Sequence, residues 1–226
     1  SHHTSMGQFF GVEYVKPLTE LREYLIILTD LIHKGEATFA GEFVKTTGAT
    51  IPAPIDVPVM ASALQVGSFR LCGELADGAI SWVAPWNYLR DIALPALQEG
   101  AAKANRPAPP LVAHAPVFLG RNKEEMLERS RKLLGRYTTL PNYQKMMIAS
   151  GFTDVESGGN MDPFLEALVV SGSDDQVIAG LKTILDEGAG EIIVHPVYDD
   201  SDREEQHAHL FEVVVAANQA AGTVAG

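Results

Sequence analysis

With 226 residues, 46% of them apolar and 20% charged, the chain has the size and balance of a globular protein with one large core or two small ones. Its 29 acidic against 17 basic side chains leave a formal net charge of −12, a surface that repels phosphate backbones and sets nucleic acid aside as a partner. A single cysteine, Cys72, excludes an intrachain disulfide and fits a reducing, cytoplasmic setting, and no apolar run approaches the roughly twenty residues that cross a bilayer.

Ser1 to Tyr14 shows no periodicity and reads as a loop without a signal peptide; lacking an initiator Met, it places the expected N-terminus upstream. Lys16 to Lys34 reads as a helix, with Pro17 at its start, an apolar face of Leu18, Leu21, Leu25, Leu28 and Ile32, and Gly35 as C-cap. Thr38 to Thr46 alternates around Gly41 as a small hairpin would. Val57 to Ala63 is an apolar strand, Ser68 to Ala76 a short helix, and Gly78 to Trp82 a second strand, which together make one strand–helix–strand unit. A helix follows from Asn87 to Ala104, kinked or divided by Pro95. Leu111 to Gly120 is a third strand in which Pro116 predicts a bulge or an edge. Asn122 caps a charged helix, Leu140 to Ser150 is helical, and Gly151 to Asp162 is a loop. Ser173 or Asp174 caps a helix running to Glu187, Glu191 to His195 is a fourth strand, and Asp202 to Gln219 is a last amphipathic helix. Four short apolar strands alternating with helices predict an α/β fold with a parallel sheet.

The turn from Ser62 to Gly67 joins a strand to a helix, where backbone N–H groups and the positive helix end favour an anion; an ordinary connecting turn has the same pattern. Ser81 and Trp82 close the second strand, and an aromatic there either walls a planar ring or caps the core. His195 ends an apolar strand just before Pro196, where a barrel presents residues to a site. His114 lies mid-strand and reads as a hydrogen-bonded core residue, Cys72 as a packing thiol, and His207 and His209 as solvated. Arg70 and Glu74 stand four apart and predict a surface pair. No histidine pair has metal-ligand spacing, so no metal is expected, and HExxH, Walker A, GxSxG and GxGxxG patterns are absent.

The order of several motifs resembles the bacterial-luciferase-like flavin and deazaflavin oxidoreductases. They are Arg22, Tyr24, Leu25 and Leu28; then Gly41-Glu42-Phe43; Pro58 to Ala63; Leu71 with Gly73 to Gly78; and the closing SGSDDQV…GAGEIIVHP. The resemblance spans nearly the whole chain and implies a (β/α)8 TIM barrel with its cofactor at the carboxyl ends of the strands. It implies strands five to eight within a single domain over residues 1–226, with strands one to four missing, hence an N-terminally truncated chain. The implied cofactor is coenzyme F-420 or FMN, its phosphate held by Ser62, Ala63, Leu64, Gln65, Val66 and Gly67, with Ser81 and Trp82 at positions near the cofactor. Gln65 departs from the glycine usual there. The loop holding His2 and His3 matches a region that approaches cofactor or substrate, which makes these two, with His195, the candidate catalytic histidines. The implied partners are a small organic substrate and a second chain, either a homodimer mate or a complementing half barrel. Two rival readings stand beside an oxidoreductase or monooxygenase: a catalytically silent assembly partner, and a sugar-phosphate barrel enzyme, which the strand-end residues suit least.

Overall fold

A computed structural model describes Gly11 and residues 15–198 and 203–222, so the candidate histidines His2 and His3 lie outside the described residues. Helix α1 (Pro17–Lys34) opens on Pro17, where no N–H is needed, and closes at Gly35 in the left-handed region at φ 82°. The hairpin β1 (Glu36–Ala40) and β2 (Lys45–Thr50) is antiparallel, with an irregular register between Ala37 and Phe39. Strand β3 (Met60–Ser62) leads into α2 (Val66–Leu75), and β4 (Gly78–Ile80) follows; both strands are shorter than the sequence predicts. The next helix is interrupted. A turn α3 (Trp86–Tyr88) becomes a π-helical stretch over Leu89–Ala93 and resumes as α4 (Leu94–Lys103), because Pro95 cannot donate to the ladder ahead of it.

Strand β5 (Leu111–Leu119) is followed by α5 (Lys123–Leu134), whose first turn is capped by the Asn122 side chain accepting from the Glu125 N–H. Then come α6 (Pro141–Ala149), α7 (Asp162–Leu168), β6 (Val170–Gly172), α8 (Asp174–Asp186), β7 (Glu191–Pro196) and α9 (Arg203–Ala220). Ser173 and Gln176 form a reciprocal capping box at the start of α8. The larger sheet runs β3-β4-β5-β6, with β7 also paired to β5, so it has five strands rather than the four expected. β5 is parallel to both β6 and β7, and its pairing with β7 is unbroken from Val112 opposite Glu191 to Val117 opposite Pro196. The bulge expected at Pro116 is absent. Pairing with β6 begins only at Val117, so on that side the missing N–H of Pro116 interrupts no bond.

The chain divides into two compact units. The first comprises residues 1–61, 66–79 and 96–109. Its core includes Leu25, Phe69, Leu71, Cys72 and Leu97, while Leu18 and Leu28 of the predicted α1 face are 48% and 41% exposed. Glu23 is also buried on α1, and its carboxylate accepts from the backbone N–H groups of Glu42, Phe43 and Val44 at 2.6, 2.8 and 2.8 Å. Burial works against that charge, but the three N–H donors outweigh it and hold the carboxyl below its ordinary range. A Cβ on Gly41 would lie 2.4 Å from the same carboxyl group, so the Gly-Glu-Phe motif serves the hairpin turn. Arg70 and Glu74 do not pair with each other, contrary to expectation. Arg70 reaches Glu99 at 2.7 Å, whereas Glu74 is gripped by Arg22 at 2.6 and 2.7 Å and by Lys103 at 3.2 Å. Arg22 comes from α1, whereas Glu99 and Lys103 are brought by the close approach of α2 and α4: a Cβ on Gly73 would sit 2.0 Å from the Leu97 carbonyl oxygen, and one on Gly100 1.9 Å from that of Arg70.

The second unit comprises residues 62–65, 80–95 and 110–226. Its core includes Tyr88, Leu89, Leu111, Leu127, Met146, Met147, Phe164, Leu165 and Leu181. Every residue of β5 from Leu111 to Phe118 is buried, as a central strand covered on both faces requires.

Candidate functional site

Where β4 ends, the chain continues through Ser81, Trp82 and Val83 beside β5. The β5–β7 register sets His114 opposite Ile193 and Pro116 opposite His195. Side chains alternate along a strand, so His114 and His195 emerge on the same sheet face. They touch: His114 Nε2 and His195 Nδ1 are 3.0 Å apart. The other ring nitrogen of His114, Nδ1, accepts the Val83 N–H at 3.1 Å. Val83 takes φ 50°, a left-handed conformation that strains a β-branched residue.

Trp82 completes the cluster. Its ring centroid lies 3.9 Å from that of His114, with 31° between the planes, and 5.6 Å from that of His195. The indole N–H donates to Tyr137 Oη at 3.0 Å, and Arg136 donates to the same oxygen at 3.2 Å. Tyr143 stacks at a tilt on Tyr137, with ring centroids 5.0 Å apart. Ser81 is fully buried. Its hydroxyl donates to the Val112 carbonyl and accepts from the His114 N–H, each at 3.3 Å, so it braces the strand beneath the imidazole.

Electrostatics follow burial. His114 is 2% exposed, and desolvation, followed by the nearby His195, pushes its pKa down to about 3. Burial lowers the pKa of His195 as well. His195 lines a cavity of about 470 Å³ with Arg129, Lys132, Leu133, Tyr198 and Arg203. Cys72 is fully buried and burial drives its thiol up to about 12, so it packs as the sequence predicts. His209 is exposed, as expected, and also meets Asp174 at 2.9 Å. No cluster of three metal-ligating residues occurs among the described residues.

The predicted anion turn is placed as follows. Ser62 ends β3 and is exposed, whereas Ala63 is buried and donates its N–H to the Ile80 carbonyl at 2.9 Å. The Leu64 carbonyl accepts from Tyr88 Oη at 2.8 Å, and the Gln65 side chain donates to the Asn142 carbonyl at 2.7 Å. Val66 and Gly67 open α2, whose first turn carries no acidic residue, as an anion site needs. A Cβ on Gly67 would lie 2.8 Å from Leu18 Cδ1, so that glycine answers to packing. Structure thus brings together Trp82 and His195 and adds His114, which the sequence consigns to the core. Only the register of β5 against β7 joins these two histidines, 81 positions apart, and nothing local in the sequence encodes it.

The sequence matches the luciferase-like monooxygenase family over residues 1–190. It is 26% identical over 199 residues to an F420-dependent glucose-6-phosphate dehydrogenase 2 of Rhodococcus jostii, covering 84% of this chain and 58% of that protein. Identity to a 5,10-methylenetetrahydromethanopterin reductase of Methanopyrus kandleri is 21% over 212 residues, covering 84% and 60%. The chain therefore spans about 60% of the length of these curated relatives. Among solved structures, an F420-dependent secondary alcohol dehydrogenase holding an F420-acetone adduct superposes with a TM-score of 0.69 at 13% identity, covering 93% of this chain and 66% of the other. EDTA monooxygenase from Chelativorans sp. BNC1 gives 0.69 at 11% identity, covering 97% and 64%. These likenesses carry the fold, an α/β arrangement around a parallel sheet.

Proposed function

Because the chain belongs to the luciferase-like monooxygenase family, we propose that it contributes to an oxidoreductase using coenzyme F-420 or FMN on a small organic substrate. The observation that carries this reading is the half-buried Trp82 indole, anchored through Tyr137 beside the paired imidazoles of His114 and His195. A cofactor of either kind would supply hydride or oxygen chemistry, and the protein would orient its ring and exclude water. Trp82 offers an aromatic wall, Ser81 stiffens the strand end beneath it, and His195 offers a polar group beside it. The turn from Ser62 to Gly67 carries no carboxylate and leads into a ten-residue helix, which suits a phosphate, with the Ala63 N–H excepted because it donates to the Ile80 carbonyl. Gln65 reaches Asn142 and so ties the turn to the start of α6. In this reading β3, β4, β5 and β7 correspond to strands five to eight of a family barrel, with β6 an addition. Pairing with a second chain, as homodimer or complementing half barrel, is part of the same proposal; Ile193, on the His114 side of β7, is 38% exposed.

An anaerobic titration with reduced FMN and with reduced F-420, read by cofactor absorbance and tryptophan fluorescence, tests it. Binding of one of them is expected, weakened about 3–10-fold in Trp82→Leu by the loss of aromatic contact. Binding of neither would remove the oxidoreductase reading from this chain.

A further inference from the structure

We propose that His114 is a positioning residue that fixes the tautomer of His195, so that His195 presents an Nε2–H donor to its ligand and is closed to use as a base. The backbone N–H of Val83 can only donate. It points at His114 Nδ1 at 3.1 Å, so that nitrogen must carry a lone pair. A neutral imidazole then holds its proton on Nε2. His114 Nε2 lies 3.0 Å from His195 Nδ1, and with the proton on the former the latter must accept. The proton of neutral His195 is left on its own Nε2, on the side of the ring turned away from His114. One backbone amide therefore dictates the polarity of two successive imidazoles.

Reversing that polarity is blocked at the buried end. To act as a base through Nε2, His195 would need its proton on Nδ1, facing His114. His114 would then have to move its own proton to Nδ1, against the Val83 N–H. Three further features hold the arrangement rigid: the 2% exposure of His114, the Trp82 ring over it at 3.9 Å, and the Ser81 hydroxyl accepting its backbone N–H. The strained φ of Val83 is what aims the amide at the ring. A group facing His195 must consequently be an acceptor, such as a carbonyl or carboxylate oxygen. The reading under Proposed function gives this donor a purpose, but its tautomer is measurable with no cofactor present. Failure to bind FMN or F-420 would leave the assignment standing, and a wrong tautomer would leave the family reading standing.

Long-range proton–nitrogen correlation spectra of the whole chain at neutral pH, with histidines assigned by substitution, decide the matter. Both His114 and His195 are expected as the Nε2–H form. His114→Phe should return His195 to a mixture of tautomers. His114→Gln should restore the Nε2–H form, since its amide oxygen accepts from Val83 while its NH2 donates to His195. A wild-type His195 protonated on Nδ1 overturns the proposal, whether or not either variant folds. So does a His195 whose tautomer is the same in His114→Phe as in the wild type.

Discussion

A histidine kept neutral by burial makes stability depend on pH in a defined direction. His114 has a folded pKa of about 3 against an ordinary 6.5, so between these values the unfolded chain binds more protons. Its contribution is complete above pH 6.5 and is lost as pH falls toward 3. Denaturation midpoints measured from about pH 7.5 to about 4.5 should therefore decline, and His114→Gln should flatten the decline. Cys72 gives a second residue-scale expectation. With its thiol fully buried and its pKa pushed up to about 12, labelling by a thiol reagent at about pH 8 should proceed only as fast as the chain opens. Rapid labelling under native conditions would contradict the packing described for α2.

At the scale of elements, the crossing of α2 and α4 is the tightest constraint. Gly to Ala ordinarily favours a helix by about 1 kcal/mol. At Gly73 and Gly100 the added methyl would run into a carbonyl oxygen of the opposing helix at 2.0 and 1.9 Å, so the helices must part. Either substitution should destabilise the protein by about 1–3 kcal/mol, measurable as a lower thermal midpoint. Helix ends are plain in the sequence, because Pro17, Gly35, Asn122 and Ser173 act through local backbone chemistry. Strand β6 is not. Its three residues, Val170 to Gly172, are too few to show alternation, and they pair only through the end of β5. The partners of Arg70 and Glu74 are equally hidden, since helix spacing says nothing of a neighbouring helix.

Across the whole molecule, the two compact units carry different acid-sensitive groups. Glu74, in the first unit, is held to about 2 by its bonds with Arg22 and then Lys103, against burial and an ordinary 4.5. Its contribution is present above pH 4.5 and is lost as pH falls toward 2; partial exposure of the pair to solvent reduces it. His114, in the second unit, begins to lose its contribution about two pH units earlier. Trp82 and Trp86 both belong to the second unit, so tryptophan fluorescence reports on that unit alone. On acid titration, fluorescence should change at higher pH than amide exchange of α2 and β1; coincident transitions would argue against the assignment. The broad α/β plan is legible because apolar periodicity and turn residues are local signals. The candidate site is half legible: the sequence singles out Trp82 and His195 at predicted strand ends, whereas their link through His114 exists only once β5 and β7 are in register.

The backbone at Val83 sets the limits of mutational tolerance at this site. Among the described residues it shares a positive φ with one other non-glycine, Asn105, at 54°. Asn105 is exposed and of a type that takes this conformation readily, so glycine there should pass unnoticed in a substitution scan. Val83 answers to two demands that no single side chain meets. Glycine would ease the backbone but empty a fully buried position, and a larger β-branched side chain would fill it under greater strain. Position 83 should therefore tolerate neither glycine nor a larger β-branched residue without loss of stability.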